Sequence, residues 1–136
     1  MRATLLGTGA PPPNPLRRGP ATLLSLGDAR FLVDAGSGAG VQLVKAGVRP
    51  YHWPPVFITH HHSDHTIDLG HLLVTRWIVG QNEPFEVFGP AGTRRQVDKL
   101  MDYLHWDIEV RREHMRDRRP PIVHVTEVEE GPVLER

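Results

Sequence analysis

With 136 residues the chain is long enough for one ordinary domain with its own hydrophobic core. Sixteen Lys and Arg balance sixteen Asp and Glu, so no global field favours nucleic acid or an anionic membrane. The absence of cysteine excludes a disulfide framework, a thiolate metal site and a cysteine nucleophile.

Thirteen Gly and thirteen Pro cut the chain into short elements. The opening, Met1 to Gly7, lacks the apolar core and cleavage region of a signal peptide. No apolar run approaches the roughly 20 residues of a membrane span. A cytoplasmic protein with no membrane partner is therefore expected. Ala3 to Leu6 predicts a strand ending at Gly7-Thr8-Gly9, followed by the loop Ala10-Pro11-Pro12-Pro13-Asn14-Pro15. Ala21 to Leu26 and Arg30 to Val33 predict two strands joined at Gly27-Asp28, a dipeptide suited to a hairpin. Val41 to Ala46 reads as a short helix stopped by Gly47. Val56 to Ile58 is a continuous apolar strand of the kind buried on both faces.

A helix over His71 to Val79 is expected to end at Gly80, and Phe85 to Phe88 to return as a strand. Thr93 with Gln96 three positions on forms a candidate capping box. Val97, Leu100, Met101, Leu104 and Ile108 then follow at helical spacing, so that helix turns one face inward. Pro120-Pro121 break the chain before a last strand, Ile122 to Val128. Strands mixed with crossover helices define an α/β (α+β) layered fold. No repeat, coiled coil or disordered tail is expected.

Four of the nine histidines fall in Thr59-His60-His61-His62-Ser63-Asp64-His65, directly after the apolar strand. On an extended segment residues i and i+2 project to one side. His60 and His62 can then converge on one ion, at about 2.0–2.1 Å per nitrogen for zinc. Asp64 continues that parity, and His65 turns away as the next element begins. The pattern suits a second ion roughly 3.5–4 Å from the first, with a shared water acting as hydroxide. His61 and Ser63 have the opposite parity and are expected to point elsewhere. A tag-like chelating loop is the bland alternative, but tags sit at termini and carry no aspartate at a fixed place. His52, His71, His105, His114 and His124 are isolated and read as surface or partly buried residues.

The run Thr59 to His65 resembles the His-x-His-x-Asp-His signature of the metallo-β-lactamase fold. Leu5-Leu6-Gly7-Thr8-Gly9-Ala10-Pro11, Gly19-Pro20-Ala21-Thr22, Leu32-Val33-Asp34-Ala35-Gly36 and Phe88-Gly89-Pro90 resemble the ribonuclease Z-like branch in order and spacing. The similarity covers nearly the whole chain but only the first half of the family's αββα sandwich. It implies two zinc ions, with Mn2+ or Fe2+ as alternatives. His60 and His62 would serve the first ion and Asp64 and His65 the second. Asp64 would also orient the attacking water, and Asp34 would support the site from beneath. The family's remaining ligands come from its second half, and nothing after residue 65 repeats a comparable motif. Residues 1–136 are therefore expected to be an N-terminal portion of a longer domain, inactive alone.

The resemblance implies a zinc-dependent hydrolase of phosphodiester or related esters, acting through a metal-bound hydroxide. His62 to Gly70 is similar to small-ester phosphodiesterases and arylsulfatases, so a small ester and an RNA both stand as substrates. An arylsulfatase-type enzyme, or a non-catalytic metal-binding or interaction remnant, is the alternative. The arginine-rich run Arg111 to Arg119 reads as a solvated helix end rather than a phosphate clamp. Arg17-Arg18 stay ambiguous, and Gly36-Ser37-Gly38 lacks the lysine of a phosphate-cradling loop. Trp53, Trp77 and Trp106 are expected in the core. A homo-oligomer, most simply a dimer, is expected, because half a sandwich exposes an apolar sheet face and an edge.

Overall fold

The computed structural model describes residues 1–115 and 118–131. Six strands form one sheet in the order β1 to β6. They are β1 (Arg2–Gly7), β2 (Ala21–Leu26), β3 (Ala29–Val33), β4 (Val56–Phe57), β5 (Phe85–Gly89) and β6 (Val123–Glu127). The first three pair antiparallel, and β3 to β6 run parallel. Gly27-Asp28 closes the β2–β3 hairpin as expected, with Gly27 at φ 58° and Leu26 paired to Ala29. Parallel neighbours need crossovers. Helix α1 (Ala39–Lys45), the pair α2 (Ser63–Thr66) and α3 (Leu69–Ile78), and α4 (Thr93–His114) supply them.

Strand parity divides the sheet. Leu23, Leu32, Val56 and Val87 point to one face and join Leu43 of α1, Leu69, Leu72 and Leu73 of α3, and Val97 of α4 in a single buried cluster. Leu24, Phe31, Val33 and Phe57 point to the other face, where they line an open apolar hollow. There Phe57 stacks on Phe88 at 4.6 Å and takes Phe31 edge-on at 5.7 Å. The side chains lining the hollow are half-buried, and the hollow is open on one side. No helix among them is long and apolar enough to cross a membrane.

Two expectations fail on side-chain placement. Trp53 and Trp77 are buried, but Trp106 is 78% exposed, because it lies on the α4 face opposite Val97 and Ile108. The capping box at Thr93 does not form either. Gly92 is the residue before α4, and the Thr93 hydroxyl donates to the Pro90 carbonyl at 2.7 Å. Gln96 reaches instead to Thr66, at 3.2 Å. The first turn of α4 is capped from a distance: a Glu127 carboxylate oxygen accepts from the N–H groups of Gly92 (2.8 Å) and Arg94 (3.0 Å). An anion suits that position because the first N–H groups of a helix have no partner within it. Asp68 does the same for α1, accepting from the Gly40 N–H at 2.8 Å.

The loops at this edge are tightly interlocked. A Cβ at Gly36 would lie 2.5 Å from the Asp64 carbonyl oxygen, from the carbonyl carbon of Gly19 and from the Pro20 nitrogen. Only glycine lets the backbones after β3, after β4 and before β2 pass this close.

Candidate metal centre

The histidine loop leaves the carboxyl end of β4, between the ends of β3 and β5, the edge at which open α/β sheets place their sites. Each neighbouring strand end contributes an anchor. From β3 comes Asp34, 6% exposed and at φ 62°, a left-handed conformation that costs an ordinary side chain energy. Its carboxylate accepts from the Thr59 N–H at 2.8 Å and the Thr59 hydroxyl at 2.9 Å, and lies 2.7 Å from Nδ1 of His65.

Counting protons along these contacts orients two rings. The single Thr59 hydroxyl hydrogen goes to the Asp34 carboxylate, which can only accept when ionised. The same hydroxyl oxygen, 3.0 Å from His60 Nδ1, must therefore accept from that nitrogen. Asp34 likewise takes the Nδ1 proton of His65. One carboxylate thus leaves Nε2 as the lone-pair nitrogen of both His60 and His65, the arrangement that aims imidazoles at a ligand.

The rings are close. His60 lies 4.1 Å from His65 and 4.6 Å from His62, centroid to centroid. His60 Nε2 is 3.0 Å from His62 Nδ1, so the His60 lone pair accepts a hydrogen bond from the His62 Nδ1–H. A cation and this ring–ring hydrogen bond are alternatives. Asp64 Oδ2 stands 3.7 Å from His65 Nε2. Among the described residues no group of three or more His, Asp or Glu side chains is gathered as a ready cage. The strand parity expected to carry Asp64 alongside His62 stops at Ser63, where α2 begins. For the same reason His65 does not turn away: a helical turn brings it back over His60.

His61 does point elsewhere, as its parity requires. Its Nε2 meets the Thr93 hydroxyl at 2.8 Å, and because that hydroxyl donates to Pro90, His61 is the donor. Thr93 is fully buried, and a side chain at Gly89 would collide with its hydroxyl. The loop is thereby pinned to the α4 N-terminus, which Glu127 holds in turn. The N–H of Arg94, together with that of Gly92 and the Arg94 charge, keeps the Glu127 carboxyl below the usual carboxylate range.

Asp64 also borders a cleft of about 280 Å3 together with Pro12, Asn14, Arg17, Arg18 and Ser37. The ambiguous arginine pair of the Pro-rich loop therefore stands beside the cluster. The other histidines lie outside it. His71 packs edge-on against Trp53, and His114 Nδ1 donates to the Val110 carbonyl at 2.7 Å. At the end of α4, Arg111 pairs with Asp107 and Arg112 with Glu109, each at 2.9 Å. This fits a solvated helix end, although residues 116 and 117 of that run lie outside the described residues. Sequence reasoning missed Thr59, Thr93 and Glu127. Only Thr59 carried a signal, as a hydroxyl placed directly before the first histidine.

Residues 14–135 match the metallo-β-lactamase superfamily, and the chain belongs to it. It is 41% identical to a ribonuclease Z of Mycobacterium sp. strain KMS over 134 residues, covering 96% of this chain and 47% of that protein. The crystal structure of human tRNase Z, short form, superposes with a TM-score of 0.68 at 32% identity, covering 92% of this chain and 43% of that one. The metallo-β-lactamase fold protein YhfI from Bacillus subtilis superposes at 0.74 with 20% identity, over 98% of this chain and 49% of that one. That last likeness concerns the fold alone. The chain spans about half the length of the curated relatives it matches.

Proposed function

We propose that this chain carries one half of the metal site of a ribonuclease Z-like phosphodiesterase, with His60 and His62 as donors to one ion and Asp64 and His65 as donors to a second. The observation that carries this reading is the Asp34 network, which leaves Nε2 of both His60 and His65 as lone-pair nitrogens within one cluster. Imidazole and carboxylate suit zinc, and Mn2+ or Fe2+ as alternatives. Donor type fits, while donor number is short: a catalytic zinc usually has three protein ligands, and each ion here has two. The missing donors are proposed to come from the part of the relatives' length that this chain does not span, so residues 1–136 alone are inactive. When bound, the ions would supply Lewis acidity toward a phosphoryl oxygen and a water.

The chain's own residues have distinct tasks in this reading. Asp34 fixes the tautomers of His60 and His65 and so keeps the ligand nitrogens unprotonated. Asp64, between His65 and the Arg17–Arg18 cleft, accepts a hydrogen bond from the attacking water and orients it toward the phosphorus. His61 keeps the loop against α4. The relatives are named ribonuclease Z and tRNase Z, which makes an RNA phosphodiester the first substrate class to test. A cytoplasmic location and self-association into a dimer belong to the same reading.

Purified protein should contain zinc by plasma mass spectrometry, and His62→Ala should lose it. The chain joined to the second half of a ribonuclease Z relative should cleave a precursor transfer RNA and bis-nitrophenyl phosphate. Equal zinc in His62→Ala would remove the site. Cleavage of a nitrophenyl sulfate alone would move the protein to the arylsulfatase class.

A further inference from the structure

A cavity of about 350 Å3 opens at the amino end of β5, the opposite end of that strand from the histidine loop. Arg76, Arg118 and Arg119 line it, against one carboxylate, Glu83. Arg76 lies on α3 with its guanidinium over the Phe85 ring, 5.5 Å from the centroid. Its Nη1 donates to the carbonyls of Glu83 at 2.9 Å and Pro84 at 3.3 Å, and its Nε is buried without an acceptor among the described residues. Arg118 lies 5.7 Å from the Trp77 ring centroid and donates from Nη2 to Asn82 Oδ1 at 2.8 Å. Neither guanidinium forms an ion pair among the described residues. The wall that carries Arg118 is fixed through its backbone: the Arg118 carbonyl accepts from Arg112 Nε and the Arg119 carbonyl from Trp77 Nε1, each at 2.9 Å.

A guanidinium taken partly out of water is costly until an anion offsets its charge. Burial is the largest influence on the Arg76 pKa and lowers it, while the charges of Glu83 and Glu86 act the other way. Holding the turn before β5 needs one cation. A second on the same turn and a third beside it leave surplus positive charge around an open volume. We propose that this cavity binds a phosphate monoester, with the phosphate taken by Arg76 and Arg118 and the organic body resting on Phe85 and Ile122. The planar forks of two guanidinium groups match phosphate oxygens, and the volume falls within the roughly 300–1,000 Å3 of small-molecule sites. Leu73 and Phe85, which line the cavity, belong to the core cluster on the helix-covered face of the sheet. The site is therefore separate from the open hollow around Phe31 and Phe57. The inference is independent of the hydrolase reading.

Titration calorimetry with adenosine 5′-monophosphate, inorganic phosphate and adenosine tests it, on this chain and on the chain joined to the second half of a ribonuclease Z relative. The monophosphate should bind both forms at one site per chain, inorganic phosphate more weakly, and adenosine not measurably. Arg118→Gln should weaken the monophosphate about tenfold, and Arg76→Lys, which keeps the charge and loses the fork, about as much. Arg118→Gln leaves the backbone anchors in place, so an unchanged circular dichroism spectrum separates lost contacts from lost folding. His62→Ala should bind the monophosphate as wild type does, which separates this cavity from anion capture at the metal edge. Binding indifferent to both arginine changes, or lost with His62→Ala, would overturn the site. Adenosine binding as tightly as its monophosphate would overturn phosphate as the recognised group. Binding by the 136-residue chain that vanishes on completion would make the cavity a seat for the rest of the protein, and would overturn the proposal equally.

Discussion

The carboxyl edge of the sheet and the outer face of α4 handle their side chains in opposite ways. At the edge a series of hydrogen bonds sets side-chain direction: Asp34 for Thr59 and His65, Thr93 for His61, Glu127 for the first turn of α4. On α4, Tyr103 and Trp106 stand in solvent. The edge is ordered by hydrogen bonds from within the chain, whereas these two rings on the helix face are left to solvent. A fixed orientation therefore marks the side chains whose direction this chain sets for itself.

The contrast breaks most readily at Asp34. Asp34→Ala removes the acceptor of three hydrogen bonds and leaves alanine in a left-handed conformation, so urea denaturation should show a loss of about 3 kcal/mol. A loss too small to measure would mean that the edge is not ordered through this carboxylate. Thr93→Val keeps the volume and removes the hydroxyl, taking the acceptor from His61 and the donor from Pro90. About 1–2 kcal/mol should be lost. His61→Ala should add little in that background, since the two changes remove one shared contact. Additive losses would show that His61 is not held by Thr93.

The smallest effect is expected at Glu127, which is solvent-exposed. Its folded pKa is depressed, chiefly by the Arg94 N–H, so its contribution is present above the ordinary carboxylate pKa and lost as pH falls through the folded value. Glu127→Gln should weaken the protein slightly at neutral pH and flatten the acid end of its stability curve. If variant and wild type lose stability in parallel on acidification, the α4 cap does not depend on charge.

The elements that sequence patterns located were those with local causes. Gly27-Asp28 marks a hairpin because the turn is made by those two residues, and Val97 to Ile108 marks a helix because one face is apolar along its length. Errors arose where the partner is far along the chain. Thr93 and Gln96 have capping-box spacing, yet the capping oxygen comes from Glu127, 35 residues beyond Gly92. Strand parity placed His60 and His62 together but could not foresee that α2 starts at Ser63 and returns His65 to the cluster. Residue type alone places Trp106 in the core, whereas its helical position sets it opposite Val97 and Ile108. Asp34 was expected from resemblance alone, and periodicity gave no hint of its reach to Thr59 and His65.

Gly36 has a consequence for how such an edge can change over generations. Three segments that are distant in sequence share one point of backbone contact there. A larger residue at that point would displace the Pro-rich loop, the turn after β3 and the turn holding Asp64 together. Variation in the Pro-rich loop is therefore confined to residues away from the crossing, such as Pro11 to Leu16, while Gly19, Gly36 and the Asp64 turn must drift jointly or not at all. A library that randomises the first stretch and leaves the crossing untouched would vary the cleft beside Asp64 without dismantling the histidine cluster.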